Sequence, residues 1–244
     1  MNPFIGPLYA IKGFGLIRRP GLRRFVMIPL LVNILLFTTA IWLSTSYFDA
    51  YMASILPQGY DWLEWLLWPL FAIALLLTMF YTFTLVANFI CSPFNGLLAE
   101  AVERELTGSA KVEEISIMQA IKESPKSLWA EVQKLGYFVI RAIPLLILFL
   151  IPGLNLLAPF LWLAFSAWLL SKEYFDYPMA NHGYSFQDQR GLLKSHRVSS
   201  LSFGGSIMFL TMIPVVNFIV MPLAVAGATA LYLDKIATKP NGGA

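Results

Sequence analysis

Four stretches of this chain carry no charged residue: 25–48, 65–99, 142–171 and 198–233. Each exceeds the ~20 residues that a helix needs to cross a hydrocarbon core. Backbone groups placed in lipid must be bonded within the segment itself, so apolar runs of this length are read as helices. Of the 244 residues, 58% are hydrophobic and 13% charged, and the mean hydropathy of +0.68 excludes an ordinary water-soluble domain. The expected class is therefore an all-α integral membrane protein, with residues 1–244 forming a single membrane domain.

The placement of the 17 basic residues supplies the topology. Segment 49–64 holds Asp49, Asp61 and Glu64 but no lysine or arginine, so it is placed outside. The basic residues fall instead at 12–24, 104–141, 172–197 and 235–239, which fits one cytoplasmic face and puts both termini there. This predicts a cytoplasmic N-terminal segment (1–24), a first span (25–48), a periplasmic loop (49–64) and a second span (65–90). A cytoplasmic helical layer (91–136) follows. Trp62, Trp65 and Trp68 mark the outer interface. Pro3, Pro7, Gly13, Gly15 and Pro20 interrupt the N-terminal segment, which lacks the apolar core of a cleaved signal and is expected to stay in the mature protein. The run 65–99 is longer than a bilayer needs, and Ser92-Pro93-Phe94-Asn95-Gly96 is expected to break or kink it. Glu100, Glu103 and Arg104 then share a helical face, as an exposed ion pair or the lining of an ion pathway. Within the polar layer, Ser116-Ile117-Met118-Gln119 reads as a weak helix start and Ser124-Pro125 as a second boundary.

The last two apolar runs echo each other. Ile151-Pro152-Gly153-Leu154-Asn155 is matched by Ile213-Pro214-Val215-Val216-Asn217, and each asparagine is followed by 16 uncharged residues. Basic segments flank both runs on the same side, so each enters and leaves through the cytoplasmic face as a hairpin: 137–171 and 201–233, joined by a cytoplasmic stretch 172–200 and followed by a tail 234–244. Ascending arms at 137–150 and 201–212 measure only about 21 and 18 Å as helix, short of a ~30 Å core. Re-entrant hairpins with Pro152, Asn155, Pro214 and Asn217 at their tips are favoured over tight transmembrane hairpins, the asparagines bonding backbone groups freed at the turn.

Pro20-Gly21-Leu22-Arg23-Arg24 is an anion-sized positive spot at the mouth of a span. Proline and glycine suit the turn before a helix, which places two arginines beside first-turn amides that lack helical acceptors. Such a start can hold a tetrahedral oxyanion; the alternative is a plain membrane anchor, the role assigned to Arg18 and Arg19. Cys91 is a lone cysteine, and His182 and His196 sit 14 residues apart at no ligand spacing. No metal, cofactor or catalytic cluster is expected, and the chain is not read as an enzyme. Gly13-Phe14-Gly15 lacks the setting of a phosphate loop. Asn33 and Asn88 are expected to bond between helices, and Trp162 and Trp168 to face lipid or partner helices.

The Gly21-Leu22-Arg23-Arg24 stretch before the first span resembles the sulfate-site motif of the CysZ family of bacterial sulfate permeases. The Ser92-Pro93-Phe94-Asn95 segment running into Glu100, Glu103 and Arg104, and the two proline–asparagine hairpins, are similar to that family along the whole chain. The resemblance implies two long transmembrane helices, two hemi-penetrating hairpins, cytoplasmic helices, dimer-based homo-oligomers and sulfate uptake across the inner membrane for cysteine synthesis. It implies sulfate bound by Gly21, Leu22, Arg23 and Arg24, with the lipid bilayer as surroundings and no nucleic-acid partner. Channel and proton-coupled symporter both remain open, as does a non-transporting membrane scaffold or regulator that senses sulfate.

Overall fold

The computed structural model describes residues 4–55, 61–108 and 117–237, and every regular element among them is helical. In chain order these are α1 (Ile5–Ile17), α2 (Arg24–Ile55), α3 (Asp61–Thr107), α4 (Ile117–Leu150), a short 3-10 turn (Leu154–Leu156), α5 (Ala158–Asn181), α6 (Phe186–Ser195), α7 (Arg197–Thr211) and α8 (Pro214–Leu231), which runs on into a π-helical turn, Tyr232–Ile236. Arg24–Phe48, Gln133–Leu150, Leu154–Asn181 and Ile219–Ile236 are long and apolar enough to cross a membrane. The all-α membrane class holds. Residues 24–94 form one compact unit; the preceding segment and the chain from Asn95 onward form the other.

In the first unit, α2 has 32 residues, about 48 Å of helix and well beyond a ~30 Å core. Its apolar side chains, among them Leu31, Leu35 and Trp42, are exposed, as lipid-facing positions are. The stretch 49–64, expected to be loop, is helical at both ends: α2 continues through Asp49 to Ile55 and α3 begins at Asp61. The reason is local, since the first helix breakers after residue 48 are Pro57 and Gly59. Phe48 stacks on Phe71 with centroids 3.8 Å apart, and Trp68 meets both rings edge-on at 5.1 and 5.7 Å. The break expected at Ser92-Pro93 is absent, because α3 runs 47 residues without interruption. A proline inside a helix forfeits one hydrogen bond, which a long apolar helix absorbs where lipid offers no alternative partner. The side chains of Asn33, Trp62, Asn88, Cys91 and Pro214 lie outside the described ones, as does residue Ser116.

In the second unit, α1, α5, α7 and α8 make the core, with α1 against α7 and α8 and α5 against the same pair. Lipid-like surroundings supply no hydrophobic drive between helices, so close packing must hold them. Small residues allow it: Gly6 lies against the Ser202 backbone, Gly13 against Leu223 and Gly227, and Gly204 against the Ala167 carbonyl. At each crossing a β-carbon would collide with the opposing main chain. The α8 stretch 223–231 is buried on every side, which suits a helix apolar all round. Ser202 Oγ accepts from the Gly6 amide at 3.1 Å, and Asp234 joins α1 to the end of α8 by accepting from Tyr9 Oη (2.8 Å) and Lys12 Nζ (2.6 Å).

The first Pro–Asn segment is a turn, whereas in the second the chain bends at 212–213 and Pro214 to Asn217 are already the first turn of α8. Gly153 takes φ +85° in the first segment, and backbone amides bond back in both, Asn155 to the Ile151 carbonyl at 3.0 Å and Asn217 to that of Ile213 at 2.9 Å. Among the described residues neither asparagine side chain takes a bond, so the work expected of those amide groups falls to the main chain. Helix α4 begins at Ile117, as expected, but it passes through Ser124-Pro125, where a boundary was placed. Helix formers on both sides (Ala120, Lys122, Glu123, then Lys126, Leu128, Ala130) carry it across.

Candidate functional site

Helix α1 ends at Ile17, and residues 18–23 form the turn that proline and glycine were expected to make. The amides of Leu22 and Arg23 both donate to the Arg19 carbonyl at 3.0 Å. Those two amides are therefore engaged; the donors without helical acceptors are those of the first turn of α2, from Arg24 onward. Leu22 is 3% exposed and pins the turn, whereas Gly21 is exposed and a methyl group there would meet nothing within 4 Å. Gly21 keeps an ordinary φ, so its role is an open approach, not a backbone conformation.

The four arginines around the turn divide. Arg19 pairs with Glu105 at 2.7 Å, and Arg18 lies over the Phe14 ring, 5.4 Å from its centroid. Arg23 and, opening the other unit, Arg24 are exposed, and among the described residues neither has an ion-pair partner. Arg24 rests 4.9 Å from the Phe25 ring, which leaves its guanidinium edge open. Of the four, only Arg19 is thus neutralised by a carboxylate among the described residues, and Arg23 and Arg24 are left charged and exposed.

Glu100, Glu103 and Arg104 follow on the last turns of α3, but the structure does not pair them with each other. Glu103 instead receives His182, whose Nε2 lies 3.0 Å from both carboxylate oxygens and is the donor in that contact. His182 caps α5, where Gly183 (φ +73°) ends the helix and the Tyr184 amide returns to the Met179 carbonyl. The His182 and Tyr232 rings lie 5.4 Å apart. Burial holds the Glu100 carboxyl above its ordinary range, opposed by Arg104 and reinforced by Glu103. The two residues before this group fix its position: Asn95 donates to Tyr177 Oη at 3.3 Å, and the Gly96 carbonyl accepts from Asn181 at 3.1 Å. His182 was missed from sequence, since its partner is 79 residues away; the His-Gly pair after an apolar run was the only hint.

Among the described residues no group of His, Cys, Asp and Glu is arranged to hold a metal ion.

Residues 9–222 match the family described as Sulfate transporter CysZ/Etoposide-induced protein 2.4. The chain is 44% identical over 236 residues to a protein of Salmonella typhimurium named Sulfate transporter CysZ, covering 95% of this chain and 93% of that one. It is 42% identical over 234 residues to the protein of the same name in Pectobacterium atrosepticum, covering 94% and 85%.

Proposed function

The chain belongs to the Sulfate transporter CysZ/Etoposide-induced protein 2.4 family, and from that premise we propose that it carries sulfate across the bacterial cytoplasmic membrane. The observation behind this reading is the extent of the likeness, which reaches nearly end to end in relatives named as sulfate transporters. The matched residues 9–222 include the Gly-Leu-Arg-Arg segment and both Pro–Asn segments.

Sulfate is a dianion with no proton to donate, so its site must supply donors and positive charge. Arg23 and Arg24 supply guanidinium forks suited to a tetrahedral oxyanion, and the first-turn amides of α2 supplement them. Leu22 holds the turn and Gly21 leaves it open. With both termini cytoplasmic, this site is an exit or sensing site at the inner face. The apolar runs carry no fixed charge, and moving two negative charges inward against ~100 mV costs roughly 4.6 kcal/mol. Uptake therefore needs proton coupling or rapid consumption of sulfate inside, and Glu100, whose pKa burial raises, is the carboxyl we assign to a proton route. No cofactor takes part. A dimer-based homo-oligomer, alongside lipid, accounts for the apolar side chains a single chain leaves exposed at Leu146, Phe160 and Phe209.

The test is uptake of labelled sulfate by proteoliposomes, with chloride, sulfite and phosphate as competitors. Sulfate-selective flux that falls in the Arg23→Ala/Arg24→Ala variant is expected; no flux with the unaltered protein would reject transport and leave a scaffold or sulfate-sensing regulator.

A further inference from the structure

Arg141 and Lys172 bracket the uncharged run 142–171, so they stand at the two feet of the first hairpin. Cations there are normally anchors that reach outward to headgroups. Lys172 does not reach outward: it is 8% exposed, with its Nζ 3.9 Å from the centroids of both the Tyr137 and Phe186 rings. The Arg141 guanidinium lies 4.0 Å from the same Tyr137 ring, and Arg190, brought in on α6, lies 5.7 Å from it. Three helices thus gather three cations around one aromatic ring, all within about one Debye length (~10 Å in 0.1 M salt) of each other.

Aromatic faces attract cations, but the faces of Tyr137 and Phe186 offset only part of the repulsion among three like charges. Carboxylates do not complete the balance. Asp176 is bonded to Lys134 at 2.6 Å, and among the described residues Arg141, Lys172 and Arg190 have no carboxylate at ion-pair distance. A cleft of about 460 Å³ opens beside the two arginines, lined by Gln133, Tyr137, Arg141, Phe186, Gln187 and Arg190, while Lys172 lines a neighbouring one of about 320 Å³ that shares Tyr137 and Phe186 with it. Tyr137 Oη accepts from Trp168 Nε1 at 2.8 Å, and because an indole only donates, the tyrosine proton remains free to donate onward. Two guanidinium forks, a tyrosine and side-chain amides therefore face one space, with the Lys172 ammonium against the two rings that line it.

We infer that Arg141 and Arg190, beside Tyr137 at the base of the first hairpin, form an oxyanion-binding site for a tetrahedral phosphate or sulfate group, with the Lys172 charge adding to the positive field around it. The group comes from an anionic lipid headgroup or from the free ion, and the chemistry of the pocket is the same for both.

The experiment uses full-length, delipidated protein carrying Arg23→Ala/Arg24→Ala, so that the segment at 21–24 does not contribute. Thermal unfolding is followed with added sulfate, inorganic phosphate, phosphatidylglycerol or, as the zwitterionic control, phosphatidylcholine. At least one anionic probe is expected to raise the midpoint beyond the phosphatidylcholine control, with at least tenfold more probe needed once Arg141→Gln/Arg190→Gln is added. A response to phosphatidylglycerol alone identifies a lipid site; a response to sulfate or phosphate identifies a site for the free ion. Equal responses with and without the two glutamines, or no anionic response, would overturn the inference. Should the glutamine variant not fold, hydrogen exchange on the unaltered protein decides: the effective probe slows exchange at residues 133–141 and 186–190, and unchanged exchange there overturns it.

Discussion

A single methyl group at Gly204 tests whether the α5–α7 crossing is set by main-chain contact. A β-carbon there would overlap the Ala167 carbonyl oxygen and stand 2.8 Å from the Ala167 carbonyl carbon and 3.0 Å from the Ser171 amide nitrogen. Comfortable separations are ~3.5 Å or more. All three neighbours are backbone atoms, so no side-chain rotation relieves the overlap and one helix must retreat. That retreat also loosens the Phe175–Phe203 contact, where the rings meet at 5.4 Å. Overpacking costs about 1–3 kcal/mol, and the upper end applies where the obstacle is backbone. Alanine's better helix propensity returns up to ~1 kcal/mol. The net loss is ~2 kcal/mol, or a midpoint lowered by roughly 4–8 °C for a chain of this size. Gly205 is the internal control: its methyl would meet only the Ala167 Cβ, at 4.0 Å, so Gly205→Ala should be neutral or stabilising by up to ~1 kcal/mol. Thermal unfolding in detergent, read by intrinsic fluorescence, compares the two. If Gly204→Ala unfolds at or above the unaltered protein, or if both shift alike, the packing argument fails.

Calorimetry on Arg23→Ala/Arg24→Ala should show sulfate affinity at least tenfold weaker, since charge-assisted bonds contribute about 1.5–3 kcal/mol each, with lysine at both positions recovering only part. Unchanged affinity in a folded sample rejects the site. Glu100 holds its proton more tightly folded than unfolded, so its contribution to stability declines as pH rises from the ordinary carboxylate range (~4.3) through the raised value. Glu100→Gln should therefore be the more stable form above that window and indistinguishable below it; a pH-independent difference would remove burial as the cause. Among the described residues Ser171 Oγ is buried with no hydrogen-bond partner, so Ser171→Ala should leave the midpoint unchanged or raised, and a drop would refute that reading.

The turns were legible because their chemistry is local. Proline and glycine at 20–21 and the paired Pro–Asn segments announce themselves without reference to anything distant; the first two are turns, and at the second Pro–Asn segment the bend falls at 212–213, with Pro214 opening α8. The same reasoning hid α1. Pro7 sits in the first turn of that helix, where a missing N–H costs nothing, and Gly13 is tolerated because the α8 backbone approaches it. Proline was over-read again at 93 and 125, where apolar or strongly helical flanks carry α3 and α4 through. At the candidate site, the division of arginines could be guessed, but the reason for it could not: Glu105 reaches Arg19 across 86 positions. Likewise, Tyr137 collects cations from three helices, and no spacing rule connects residues 141, 172 and 190.

The lock between α1 and the end of α8 has a consequence for biosynthesis. Gly6 bonds Ser202 and Tyr9 bonds Asp234, partners 196 and 225 positions downstream. Helix α1 leaves the ribosome before α7 and α8 and must wait, with the face that will receive them uncovered, until both have been made. Contacts of such sequence separation close late and slowly. Shortening the C-terminus to remove Asp234 should therefore harm the opposite end of the chain, appearing first as protease sensitivity within residues 5–17.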